Sequence, residues 1–68
     1  MEFRIETGQE ADGRWIAEIQ ALPGVLAYGE SKGRAISRAT ALALQVIGDR
    51  IEHGEIDVAP ERVVFLAA

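Results

Sequence analysis

The segment Ser31–Gly54, SKGRAISRATALALQVIGDRIEHG, carries the chain's one clear 3.6-residue periodicity, and it dictates what the rest must do. At about 100° per residue, Ala35, Ile36, Ala39, Leu42, Ala43, Val46 and Ile47 fall on one broad stripe, and Arg34, Arg38, Gln45, Asp49 and Glu52 lie opposite. Ser31 is placed to accept a hydrogen bond from a free first-turn amide, and Gly54 to end the helix in a left-handed conformation. A helix over 32–53 is predicted. Gly33 weakens its first turn, and Arg34 stands where a reciprocal Glu or Gln would complete a capping box. Leu44 and Ile51 fall beside the stripe, as a wide core under a twisted sheet would place them. A second contact surface would do the same.

A lone amphipathic helix must bury its stripe against something else, and the flanking segments read as strands. MEFRIET alternates strictly, with Phe3 and Ile5 on one face and Glu2, Arg4 and Glu6 on the other, which marks a half-buried strand over 1–7. GQEADG supplies hairpin chemistry. Over 14–19, Trp15, Ala17 and Ile19 share a face, and Ile16 is the odd apolar residue between Arg14 and Glu18. Leu22-Pro23-Gly24 breaks the run, because Pro has no ladder donor and Gly accepts positive φ. Residues 25–28 resume an extended pattern that ends at Gly29. After the helix comes a polar connection over 55–61 containing Pro60, then a last strand over 62–68. Val63, Val64, Phe65 and Leu66 are apolar on both parities, the pattern of a strand covered on both faces.

The order is therefore β-β-β-α-β: an α+β fold whose four-stranded mixed sheet carries one helix on one face. A right-handed crossover places the last strand beside the first and parallel to it. The other sheet face then lacks a cover, and Ile16 with one parity of the third and fourth strands adds apolar atoms there. Exposed patches of this kind commonly mark association sites.

With 68 residues the chain is one domain, and a core of that size leaves it marginal. It has no cysteine, so disulfides and thiolate zinc are excluded, and self-association is the expected source of further stability. Two copies meeting through the uncovered face would supply it. No apolar run approaches the roughly 20 residues of a membrane span, and no export signal is evident, so a cytoplasmic location is expected. The net charge is −4, with 11 acidic against 7 basic residues, the reverse of what a phosphate-binding surface requires.

No catalytic set assembles. His53 has no second His or Cys to share a metal, and it reads as a donor at the helix C-terminus. Ser31 and Ser37 stand far from it along the same rod. Asp12, Glu18, Glu30, Asp49, Glu52, Glu55, Asp57 and Glu61 are scattered rather than paired. GVLAYGESKG leads into a helix but lacks both the Gly-Lys-Ser/Thr ending and dinucleotide glycine spacing. Trp15 and Tyr28 lack the basic surround of a base-stacking platform. No catalytic, metal or cofactor-binding residue is expected, and no direct contact with nucleic acid or membrane.

The pattern D-G-x-W-x-A-x-I-x-x-L-P-G-V, followed by G-x-S and an Ala-rich helix, resembles the HicB-like antitoxin family. It is carried here by Asp12, Gly13, Trp15, Ala17, Ile19, Leu22, Pro23, Gly24, Val25, Gly29, Ser31 and Ala35, and the likeness runs on to about Gly54. Gln20-Ala21 and Gly33-Arg34 depart from it. The resemblance implies a partial ribonuclease-H-like fold over 1–68 without nuclease carboxylates. It also implies a protein that neutralises a small basic, mRNA-cleaving (HicA-like) toxin by binding it, as a homo-oligomer. Full-length members often add a C-terminal DNA-binding segment, and none is expected within these residues. The motif residues Gly13, Trp15, Leu22, Pro23, Gly24, Gly29 and Ser31 read as makers of the fold. Ile16, Glu18, Leu26 and Tyr28 are the candidates for a partner or dimer surface. The alternatives are a homo-oligomeric module that has lost its toxin and a metal-dependent nuclease.

Overall fold

The computed structural model describes residues 1–56 and 62–67. Its elements are β1 (Glu2–Gln9), β2 (Trp15–Glu18), β3 (Leu26–Gly29), α1 (Lys32–Glu52) and β4 (Val64–Ala67). The sheet order is β3-β2-β1-β4. β1 pairs antiparallel with β2, β2 antiparallel with β3, and β4 parallel with β1. This is the predicted β-β-β-α-β arrangement of an α+β fold. The predicted connection over 55–61 lies largely outside the described residues, as does Ala68.

Each turn follows from its residues. Between β1 and β2, the Gly13 amide donates to Glu10 O at 2.9 Å and the Glu10 amide to Arg14 O at 2.7 Å, closing a three-residue loop with Gly13 at φ 93. Between β2 and β3, the Val25 amide donates to Leu22 O at 3.0 Å around Pro23 and Gly24. Pro presets φ for the second position of this turn, and Gly24 at φ 88 supplies the positive φ that the third demands.

Ser31 is the N-cap of α1, its hydroxyl accepting from the Arg34 amide at 3.2 Å. At the other end Gly54 has φ 72, its amide donates to Ile51 O, and the Glu55 amide donates to Arg50 O. These two bonds satisfy carbonyls that the helix end leaves free.

Pairing register sorts the side chains. Phe3, Ile5, Ala17 and Ala27 face α1, and they join Ile19, Leu22, Val25, Ala35, Ala39, Ala43 and Ile47 in one core. Three of the four buried helix residues are alanines, so α1 lies close against the sheet. The approach is tight at Gly29, where an added Cβ would lie 2.5 Å from Ala35 N.

Two expectations need correction. β4 is not covered on both faces: it is an edge strand, with Val64 and Phe65 half-buried and Leu66 exposed. α1 lies over β3 and β2 and reaches β1, leaving β4 largely uncovered. Phe65 stacks on Phe3 with ring centroids 5.8 Å apart, and that contact holds β4's inner side. Nor is the core wide enough for the whole margin of the helical stripe. Ile51 packs against it, but Leu44 is 52% exposed.

Candidate functional site

The face turned away from α1 is built from the other parity of every strand. Cross-strand register sets Gly8, Ile16 and Tyr28 in one row, and Glu6, Glu18 and Leu26 in the next. Arg4 lies beside Leu66, and Glu2 beside Val64. All four residues proposed for a partner surface, Ile16, Glu18, Leu26 and Tyr28, are therefore brought together here. The Ile19 amide donates to Val25 O, which makes 19 and 25 a hydrogen-bonded pair and, by alternation, 16 with 28 and 18 with 26 non-hydrogen-bonded ones. Side chains approach most closely in such pairs, so Ile16 and Tyr28 form a continuous apolar step. Leu26 is 40% exposed and Tyr28 38%. Residues this apolar usually gain more by burial than by staying in water.

Charge rings this step. The Arg14 guanidinium stands 4.6 Å above the Tyr28 ring, a cation–π contact, and its Nε donates to Asp12 Oδ2 at 2.9 Å. The Arg14 amide donates to the other Asp12 oxygen at 3.0 Å. These bonds, the amide's foremost, hold the Asp12 carboxyl below its ordinary value, against the smaller opposing effect of lost solvation. Gln20 donates from Nε2 to Glu6 Oε2 at 3.0 Å, tying the β2 end to β1. Glu2, Glu6 and Glu18 carry negative charge along the face, with Arg4 between Glu2 and Glu6 on β1 and Arg14 over Tyr28.

The motif residues hold this face rather than line it. Leu22 is 3% exposed and lies in the core, with half-buried Trp15 packed against it. Gly13, Pro23 and Gly24 shape the two turns, while Gly29 and Ser31 seat the helix. Arg38 on α1 donates from Nη1 to Tyr28 O at 3.1 Å, which fixes β3 beneath the helix.

The groups weighed for chemistry stay apart. Ser31 caps one end of α1 and His53 the other, where His53 Nδ1 lies 2.8 Å from Asp49 O and 3.3 Å from Asp49 Oδ1. Among the described residues, no three His, Asp or Glu side chains converge as metal ligands would, and no pocket encloses a small molecule.

Sequence reasoning missed part of the surface. Arg4, Arg14, Val64 and Leu66 share the face with the four proposed residues. The parity of β1 carried the signal for Arg4, but β4 is apolar on both parities, and only its register with β1 decides which pair points outward.

Compared with known family profiles, curated proteins and solved structures, the chain matches none significantly.

Proposed function

We propose that this protein is a non-enzymatic, HicB-like antitoxin that acts in the cytoplasm by covering a small basic, mRNA-cleaving toxin with the sheet face opposite α1. One observation carries the reading: the Ile16–Tyr28 step and exposed Leu26 lie on that face beside Glu6 and Glu18, in a chain of net charge −4. An aromatic and two aliphatic anchors inside an acidic surround suit a partner with apolar contacts and a basic rim. Acidic steering speeds encounter with such a partner, and burial of the anchors slows release.

The motif adds independent support. Its residues fall at both sheet turns, at the helix cap and at Gly29, where helix backbone closely approaches strand backbone. A family pattern of this kind preserves a scaffold and leaves the binding face free to match its own partner. No helix of the described residues is long and apolar enough to cross a membrane.

The experiment is co-expression with any small basic protein encoded beside this chain, followed by purification of the pair. The expected result is rescue of growth and a stable complex, weakened at least about tenfold by Tyr28→Ala, as for a central aromatic anchor. Persistent growth arrest with no complex would overturn the reading.

A further inference from the structure

The two edges of the sheet are treated differently. On β3, Leu26 and Tyr28 turn their backbone groups outward, and the outward Tyr28 carbonyl is taken by Arg38. On β4, the Val64 amide donates to Met1 O, so Val64 and Leu66 turn inward to β1 and the Phe65 and Ala67 amides and carbonyls turn outward. Val63 to Ala67 carry no charge and no proline, the features that usually protect a free edge.

A second apolar surface adjoins that edge. Arg38 turns one flank of α1 toward β3, and at about 100° per residue Leu44 and Ile51 lie on the opposite flank, toward β1 and β4. Their level follows from the contact of Ala35 with Gly29, which pairs through Trp15 to Gln9. Leu44 is roughly 13 Å down the helix from Ala35, and Ile5 is about 14 Å down β1 from Gln9. Leu44 thus stands level with Ile5 and its neighbour Ala67, with Ile51 a further two turns along, beyond Phe65. Exposed Leu44 stands on the helix flank above the half-buried inner side of β4, a strand whose outer edge pairs with no other described residue.

We infer that a second copy of this chain covers that flank and edge, its β4 adding antiparallel to the first to make one eight-stranded sheet with Phe65 opposite Phe65. Charge is compatible with a second copy and favours this register over its neighbours. With Phe65 opposite itself, each outer-face row runs Arg4, Leu66, then Val64 and Glu2 of the second copy. Opposite charges then bracket an apolar pair about three strand spacings, roughly 14 Å, apart, near enough for long side chains to lean inward. Shifting the centre to Leu66 would put Arg4 of both copies in one row. Meeting instead through the outer faces would bury the charges of Glu2, Glu6, Glu18, Arg4 and Arg14 along with Ile16 and Tyr28. The edge joint leaves the Ile16–Tyr28 face free, so the inference stands apart from the toxin reading and is tested on the chain alone.

Sedimentation equilibrium of the full chain across roughly 1–100 μM, where a small interface of this kind saturates, should give a dimer. Leu44→Glu alters an exposed side chain, and Ala67→Pro removes one outward amide donor that β1 does not use. Each should raise the dimer Kd at least about tenfold with an unchanged circular dichroism spectrum. Tyr28→Glu should leave that Kd within about twofold. Because the chain has no cysteine, the register can be read directly. Oxidised Val64→Cys/Leu66→Cys should run as a covalent dimer, and Leu66→Cys alone should not. A monomer throughout the range overturns the inference, and so does dissociation by Tyr28→Glu with the edge variants unaffected. Efficient cross-linking of Leu66→Cys alone overturns the register.

Discussion

Replacing Gly29 with alanine tests how tightly the helix is held against the sheet. Gly29 does not have a positive φ, so alanine suits the backbone and the penalty is purely one of space. The new Cβ would lie 2.5 Å from Ala35 N, 2.9 Å from Arg34 C and 3.0 Å from Ala35 Cα. Ordinary contact begins near 3.4 Å, so the first turn of α1 must retreat by about 0.9 Å. All three obstacles are helix backbone, and none can rotate away. The retreat would loosen the Ser31 cap and lift Ala35 and Ala39, both fully buried, from the sheet. Overpacking typically costs about 1–3 kcal/mol, and a rigid obstacle places this case at the upper end. The entropy that alanine removes from the unfolded chain returns at most about 1 kcal/mol. A net loss of about 2 kcal/mol remains, from a total that for a chain of this length is about 3–10 kcal/mol. In urea, followed by circular dichroism, the midpoint should fall with an unchanged slope, and the melting temperature should drop by roughly 8–16 °C. Gly33→Ala is the control, since nothing lies within 4 Å of its added Cβ and alanine favours the helix. Equal stability of the Gly29→Ala and wild-type chains would refute the reasoning.

Other outcomes follow from single contacts. Ser31→Ala removes the acceptor for the Arg34 amide and should cost about 1 kcal/mol in the same assay. Gly24→Ala must hold φ 88 with a side chain and should cost about 1–2 kcal/mol, while Pro23 keeps the turn in place. Hydrogen bonds from Arg14, its backbone amide first, hold the folded Asp12 carboxyl below the ordinary aspartate value, so its small, solvent-screened contribution is present above its unfolded pKa and fades as pH falls through the folded value. A carboxyl titration by NMR should show the lowered midpoint, and Arg14→Ala should raise it only partway, because the backbone amide that lowers it most remains.

Much of the architecture was legible because each local signal agreed with its neighbour. The Ala-rich stripe, Ser31 and Gly54 predict a helix over 32–53, and α1 runs Lys32–Glu52. Strict alternation in MEFRIET names Phe3 and Ile5 as core, and both are buried. The crossover rule places the last strand beside the first. What escaped was set by distance between chain segments rather than by pattern. The two-sided apolarity of 63–66 reads as coverage on both faces, yet the footprint of α1 stops short of β4. Leu44 reads as a margin of the core for the same reason. β1 runs on to Gln9 because Trp15 pairs with it, a partner invisible from the strand's own residues. For the candidate face, the parity of β2 singled out Ile16 and Glu18. Leu26, Tyr28, Val64 and Leu66 needed the register of β3 and β4.

The hydrogen bond from Arg38 to Tyr28 has a consequence for growth in assembly. A sheet with two open sides can add molecules without limit and lengthen into a fibre, whereas one with a single open side closes after the first addition. Arg38 occupies one outward carbonyl of β3, so β4 is the more open side, and association through β4 alone would stop at a pair.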